Sequence, residues 1–152
     1  MKKRFLYITL LFALISCQDD VKFNNPAFEG RKDNVFWRAI DSKATIASGS
    51  LTIEGFTKNE TVTLKTNSTD PAIYFLGTSI LNTATYVKND ALSTITFATG
   101  FGVGEGQIVI TEYDAVNKTV TGTFKFNAVN SVLPSSILNF QYGHFYKVPI
   151  KQ

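Results

Sequence analysis

The sequence predicts an all-β protein, an antiparallel β-sandwich or a flattened meander barrel, that follows an N-terminal signal peptide. From Val35 onward, short runs rich in Thr, Val, Ile and Phe alternate apolar and polar residues with a period of two. Turn residues separate these runs about every eight to twelve positions, a spacing typical of sandwiches and barrels. After residue 17, no stretch of useful length has the period of an amphipathic helix.

The first sixteen residues have the pattern of a secretion signal. Lys2, Lys3 and Arg4 form a positive n-region, and residues 5–15 form a mostly apolar run of eleven residues. This run has the length of a signal h-region and is too short to span a bilayer as a helix. We therefore expect residues 1–16 to be a signal peptide.

The only cysteine of the chain follows this apolar run directly. The segment Leu14-Ile15-Ser16-Cys17 resembles the lipobox of bacterial lipoproteins, in which aliphatic and small residues precede the cysteine. The resemblance implies that the sulfur of Cys17 carries a diacylglycerol thioether, that a peptidase cleaves before Cys17, and that the new amine carries a further acyl chain such as palmitate. The expected partner of Cys17 is thus a lipid bilayer. The alternative is an ordinary secretion signal followed by an unrelated thiol.

Three residues after the cysteine bear on the location of the protein. The segment Gln18-Asp19-Asp20 resembles the export signal that sends Bacteroidota lipoproteins to the outer face of the outer membrane. The resemblance implies an outer membrane lipoprotein exposed at the cell surface. A periplasm-facing lipoprotein, in which the acids only begin a solvated tether, is the alternative.

The remaining chain divides into a tether and a domain. Residues 17–34 show no sustained period and are interrupted by Pro26 and Gly30, so we expect a lipidated tether. The predicted β domain covers residues 35–149.

Two hairpins are well marked within this domain. In the first, residues 51 and 53 share the apolar face with residues 62 and 64, and residues 57–60 form the turn. In the second, residues 108 and 110 face the core before a turn at residues 114–118. The following strand alternates regularly, as expected for an antiparallel sheet with one face in water. Its predicted inner residues are Val120, Gly122, Phe124, Phe126 and Ala128.

Seven further segments have a weaker strand pattern. They are rich in β-branched and aromatic residues but are shorter or alternate less regularly. We expect strands at residues 36–40, 45–48, 73–77, 85–88, 94–98, 137–141 and 143–148.

The segments GQIVITEYDAVNKTVTGTFKFNA and FQYGHFYKVPI resemble those of small Bacteroidota lipoproteins, the family called domain of unknown function 6252. The resemblance covers most of residues 35–148 and implies fold and location, because the family has no known activity. In the closing strand this chain has Tyr142-Gly143 where the family pattern is Thr-Gly. The motifs are Phe36-Trp37-Arg38-Ala39, a G-x-I-x-I-T strand (Gly106, Ile108, Ile110, Thr111), a G-T-F-x-F strand (Gly122, Thr123, Phe124, Phe126) and a glycine–aromatic strand (Gly143, Phe145).

The composition argues against several classes of function. Removing Lys2, Lys3 and Arg4 from the fifteen cationic residues leaves twelve, against twelve acidic residues. The domain is therefore formally neutral and lacks the basic field that nucleic-acid binding requires. One cysteine and one histidine exclude a disulfide within the chain and the usual Cys/His zinc spacings. We expect no metal and no cofactor.

The sequence also lacks a catalytic motif. His144 is the only histidine, and no G-x-S-x-G nucleophile motif is present, so we expect a surface or packing role for it and no catalytic residues. Residues 100–106 are rich in glycine, but Glu105 stands where a G-x-G-x-x-G phosphate loop needs glycine. We therefore expect a mobile loop between strands. An extracytoplasmic hydrolase remains an alternative, because sequence does not show whether two carboxylates oppose each other.

Exposed aromatic residues are the candidate ligand contacts. Tyr113 lies opposite Ile108 and Ile110 by alternation, and Phe101 lies in the glycine-rich loop, so we expect both to be exposed. Aromatic residues of small β domains also pack in the core, which is the competing interpretation. The sequence thus predicts a non-catalytic binding or structural module, with a glycan, a small apolar ligand or a protein as the partner.

Overall fold

A computed structural model describes residues 27–151, which fold as an all-β domain of eleven strands. Within this range there is no helix long and apolar enough to cross a membrane. The strands are β1 (Ala27–Lys32), β2 (Val35–Arg38), β3 (Asp41–Ala47), β4 (Ser50–Phe56), β5 (Glu60–Thr66), β6 (Ala72–Leu76), β7 (Thr83–Asp90), β8 (Ser93–Ala98), β9 (Glu105–Asp114), β10 (Thr119–Asn130) and β11 (Ile137–Pro149).

All eleven strands belong to one antiparallel sheet. Its main path has the order β2-β1-β11-β10-β8-β7-β5-β4-β3, while β9 pairs with β10 and β6 pairs with β9 outside this path. The side branch formed by β9 and β6 arises because β10 is twelve residues long. Residues Thr119 to Asn127 pair with β9, whereas Val129 and Asn130 pair with β8. One edge of β10 therefore serves two neighbours.

The sheet curls until β3 meets the end of β11. Ala44 and Ile150 form a parallel bridge, and the backbone N–H of Lys151 donates to the carbonyl of Ala44 at 2.8 Å. The apolar residues lie on the inner face of this curl. The prediction of an all-β antiparallel fold is confirmed, and a single curled sheet is the form it takes.

Both predicted hairpins are confirmed. Leu51 pairs with Thr66 and Ile53 pairs with Leu64 in the first hairpin, and the predicted inner residues of β10 are all buried. The two strands predicted at 137–141 and 143–148 form one strand, β11, with a bulge at Tyr142. Because the bulge inserts one extra residue, it interrupts the alternation that the sequence analysis relied on.

Strand β1 begins at Ala27, inside the segment 17–34 that was predicted to be a tether. Strand β1 pairs with β11 and β2, and the ring of Phe28 is buried. A strand of six residues that contains three charged residues and a glycine has too little alternation to be recognised from sequence. The partner strands supply the pairing that its own pattern does not indicate.

Aromatic rings fill the inner face of the curl. The ring of Phe28 lies 5.1 Å from that of Phe124 and 5.9 Å from that of Trp37. The ring of Phe140 lies 5.2 Å from Phe124 and 5.4 Å from Phe126. These centroid distances are typical of stabilising aromatic pairs.

Strands β10 and β11 contain two glycine–phenylalanine pairs. In one pair the glycine belongs to β10, and in the other it belongs to β11. Gly122 pairs with Phe145, and Phe124 pairs with Gly143. A Cβ atom on Gly143 would lie 2.6 Å from three atoms of the Phe124 ring, and one on Gly122 would lie 2.5 Å from the Phe145 ring. Each glycine therefore leaves the space that the ring from the neighbouring strand occupies, an arrangement we call the glycine–phenylalanine exchange.

Two further glycines accommodate rings in the same way. A Cβ atom on Gly55 would lie 2.7 Å from the ring of Phe28, and one on Gly30 would lie 2.6 Å from the ring of Phe140. Since Phe28 and Phe140 are buried, neither ring has free space to move into.

We predict that Gly143→Ala lowers the free energy of unfolding by about 1–3 kcal/mol, the usual cost of forcing extra volume into a packed core. Urea unfolding followed by the fluorescence of Trp37, the only tryptophan, measures this change. Gly100→Ala is the matched control, because nothing lies within 4 Å of a Cβ atom at Gly100. Equal unfolding midpoints for the two variants would contradict the prediction.

Candidate ligand-binding site

The outer face of β6, β9, β10 and β11 carries two neighbouring rows of side chains. In the first row, Gln107 pairs with Phe75 on one side and with Lys125 on the other. In the second row, Asn127 pairs with Glu105 on β9 and with Asn139 on β11. Polar and charged groups from three strands are thus brought side by side.

These rows form a pocket of about 480 Å³, which we call the outer-face pocket. It lies at the point along β10 where the paired strand changes from β9 to β8. The lining residue Asn127 is the last residue of β10 that pairs with β9. Most of its lining side chains are polar or charged. The lining residues are Phe75, Leu76, Thr78, Glu105, Gly106, Gln107, Lys125, Phe126, Asn127 and Gln141.

Two backbone irregularities shape this region. Gly106 has a φ of +141°, and a Cβ atom there would clash with the carbonyl oxygen of Lys125 and lie 2.7 Å from the Cα atom of Phe126. Only glycine therefore allows β9 to approach β10 so closely. Beside Gln141, Tyr142 has a φ of +52° at the bulge of β11, and its side chain is exposed. Bulges often occur at binding sites, where they redirect side chains.

Hydrogen bonds orient the carboxylate in the pocket. The amide Nδ2 of Asn139 donates to Oδ1 of Asn127 at 2.6 Å, and Nδ2 of Asn127 donates to Oε1 of Glu105 at 2.9 Å. This ladder across three strands fixes one carboxylate oxygen of Glu105. The other oxygen has no hydrogen-bond partner among residues 27–151.

Phe101, a predicted ligand contact, is 76% exposed in the glycine-rich loop. The N–H of Gly102 donates to the carbonyl of Gly77 at 2.9 Å, so this loop is attached beside the pocket residue Thr78. The loop also leads directly into Glu105. The loop that carries Phe101 is therefore attached next to the outer-face pocket, although Phe101 is not among the lining residues.

Tyr113, the other predicted contact, does not lie on the outer face. The register of β9 against β10 shifts between Thr121 and Gly122, so that Tyr113 pairs with the buried residue Val120. Because the bulge adds one residue after Ile110, the alternation reverses and turns Tyr113 toward the inner face. Tyr113 is half-buried and lines a separate pocket of about 370 Å³ with Ile46, Ala115, Lys118, Ile150 and Lys151.

Four other predicted site residues, Cys17, Gln18, Asp19 and Asp20, lie outside the described residues. Their assignments to lipidation and export stay predictions.

His144 lies in a polar cluster on the outer face, around the carboxylate of Glu29. Its Nε2 lies 3.1 Å from Oε1 of Glu29, and Nη1 of Arg38 donates to Oε2 of the same carboxylate at 2.7 Å. None of these residues lines the outer-face pocket. Within residues 27–151, no group of three or more His, Cys, Asp or Glu residues is arranged to hold a metal ion.

A second polar cluster lies inside the curl, around Glu60. Its carboxylate accepts hydrogen bonds from Lys32 Nζ, from Trp37 Nε1 and, at 2.6 Å, from the hydroxyl of Tyr86. Burial raises the pKa of Glu60, but the three hydrogen bonds and the charge of Lys32 outweigh it, so the pKa lies below its ordinary value. Burial, together with the hydrogen bond and charge of Glu60, raises the pKa of Tyr86 well above its ordinary value.

The Glu60 cluster joins β1 and β2 to β5 and β7 across the inside of the sheet. Its groups satisfy one another, so it acts as a structural clamp. The outer-face pocket differs, since the side chains of Gln107, Lys125 and Gln141 make no hydrogen bond within residues 27–151. These residues could not be recognised as a site from sequence, because alternation shows that they point outward but does not show which strands are neighbours.

The family described as Domain of unknown function (DUF6252) matches residues 24–149, a range that includes every strand of the sheet. This match confirms the predicted resemblance. No curated protein and no solved structure matches the chain.

We predict that Glu60→Gln destabilises the protein at pH 7, as seen by a lower urea midpoint. Because the pKa of Glu60 is lower in the folded than in the unfolded state, its stabilisation is complete above the ordinary value of 4.5 and is lost as the pH falls below it. The difference between parent and variant should therefore shrink in acid.

Glu112→Gln is the control, because Glu112 is exposed and has no ion-pair partner among the described residues. It should leave the midpoint unchanged at both pH values. A Glu60→Gln effect of equal size at neutral and acid pH would contradict the assignment of a charged clamp.

Proposed function

The chain belongs to the family Domain of unknown function (DUF6252), and from its own residues we propose that it is a membrane-anchored lipoprotein whose β domain is a non-catalytic binding module. The observation that carries the proposal is the position of the only cysteine, directly after the apolar run of residues 5–15. This is the one position at which a lipobox requires cysteine.

Acylation of Cys17 gives the domain a stable anchor. Each buried methylene contributes about 0.8 kcal/mol, and a single acyl chain binds a membrane only reversibly. Two or three chains on one residue hold a soluble domain on the bilayer. The acidic residues Asp19 and Asp20 support display on the outer face of the outer membrane; a periplasm-facing orientation is the alternative.

The position of β1 supports a binding role for the side of the domain away from the anchor. The chain enters the sheet at Ala27, which pairs with Tyr146. The pocket residue Gln141 pairs with Arg31, toward the other end of β1. The point at which the chain enters the sheet and the outer-face pocket therefore lie toward opposite ends of β1.

The chemistry of the pocket supports binding without catalysis. Glycoside hydrolysis, for example, uses two carboxylates on opposite sides of the bond. Glu105 is the one carboxylate among the lining residues, and Glu29, the partner of His144, lies outside the lining.

We predict that Cys17→Ala abolishes incorporation of labelled palmitate and moves the protein from the membrane to the soluble fraction, because no thiol remains to be acylated. Ser16→Ala is the matched control, since alanine is also small and keeps the lipobox pattern. Unchanged membrane partitioning of Cys17→Ala would exclude the proposed anchor.

We predict that replacing Asp19 and Asp20 together by alanine makes the protein less accessible to protease on intact cells. Lys22→Ala, in the same segment, should not change accessibility. Digestion after lysis checks that all variants are equally cleavable. If the double variant is digested on intact cells as fast as the parent, the acidic pair is not an export signal.

A further inference from the structure

The outer-face pocket has the dimensions of a small-molecule site. Its volume of about 480 Å³ lies within the range of about 300–1,000 Å³ typical of ligand pockets. We propose that it binds an uncharged saccharide, an assignment that rests on the proposed role as a binding module and names its ligand.

The polar groups of the pocket are available for a ligand. In the described part of the chain, the only side-chain hydrogen bonds of the lining residues are those that connect Asn139, Asn127 and Glu105. The side-chain amides of Gln107 and Gln141 each offer two donor hydrogens and one acceptor oxygen. One oxygen of Glu105 and the ammonium of Lys125 add an acceptor and a donor.

This mixture of donors and acceptors matches hydroxyl groups. A hydroxyl both donates and accepts, so a ligand with several hydroxyls can bond to amides, carboxylate and ammonium at the same time. A phosphate or carboxylate ligand would place an anion beside Glu105, and a cationic ligand would lie beside Lys125. Because these two are the charged residues of the lining and have opposite signs, the pocket favours a ligand without net charge.

An exposed aromatic ring lies next to these polar groups. Phe75 is 58% exposed on β6, and its register partner on β9 is Gln107. The C–H face of a pyranose ring is apolar and can cover such a ring, while its hydroxyls reach the neighbouring amides. Tyr142, which is 80% exposed, directly follows the lining residue Gln141 in the chain.

The test uses the purified full-length protein in a detergent whose headgroup is not a sugar. An array of neutral glycans identifies the best saccharide, and calorimetry then measures its association constant. Phe75→Ala and Gln107→Ala should each weaken binding about tenfold or more, equivalent to the loss of one good contact. Phe36→Ala is the matched control, since Phe36 is 64% exposed on the outer strand β2 and lies outside the lining; it should leave binding unchanged.

The remaining outcomes separate the saccharide assignment from the function on which it rests. If no glycan on the array binds the protein, while acylation and surface display occur as predicted, only the saccharide assignment is overturned. Binding of a mixture of L-amino acids that is lost in Phe75→Ala also overturns it, but leaves the binding module intact. Saccharide binding that persists in both pocket variants overturns the assignment to this pocket. Urea unfolding of each variant shows that reduced binding is not loss of fold.

Discussion

The structure depends on the glycine–phenylalanine exchange between β10 and β11. Gly122 and Gly143 each leave space for the ring of a phenylalanine on the other strand. A side chain at either glycine would occupy the position of a buried ring. The exchange brings Phe124 to the centre of the core, in contact with the rings of Phe28, Phe126 and Phe140. It also gives a physical reason for the G-T-F-x-F and glycine–aromatic patterns in the sequence of this chain.

Much of the fold could be predicted from the sequence, because β4, β5, β9 and β10 alternate apolar and polar residues and lie next to their sequence neighbours. The predictions that were wrong have local causes. Strand β1 lacks alternation, and the bulges near Tyr113 and Tyr142 shift the faces of the residues that follow. The outer-face pocket required knowledge of pairing between β6 and β9, which lie 28 residues or more apart in sequence, and no local pattern encodes that register.

The Glu60 cluster and the outer-face pocket differ in whether their polar groups are paired within the protein. Around Glu60, each carboxylate oxygen is occupied, and the donors come from strands that the cluster holds together. In the outer-face pocket, Asn127 and Asn139 orient Glu105, while Gln107, Gln141 and Lys125 have no partner within residues 27–151. Oriented polar groups without a partner in the described residues, beside an exposed ring, support the proposed binding role. The proposed anchor at Cys17 would present this site to the surroundings of the cell.

The glycine–phenylalanine exchange can be observed directly by nuclear magnetic resonance of the folded protein. One Hα proton of Gly143 occupies the direction in which a Cβ atom would meet the Phe124 ring, so the ring current should shift its resonance upfield. We expect this shift, separate resonances for the two Hα protons, and a nuclear Overhauser effect to the protons of the Phe124 ring. Two equivalent Hα protons at random-coil positions, with no contact to that ring, would contradict the glycine–phenylalanine exchange.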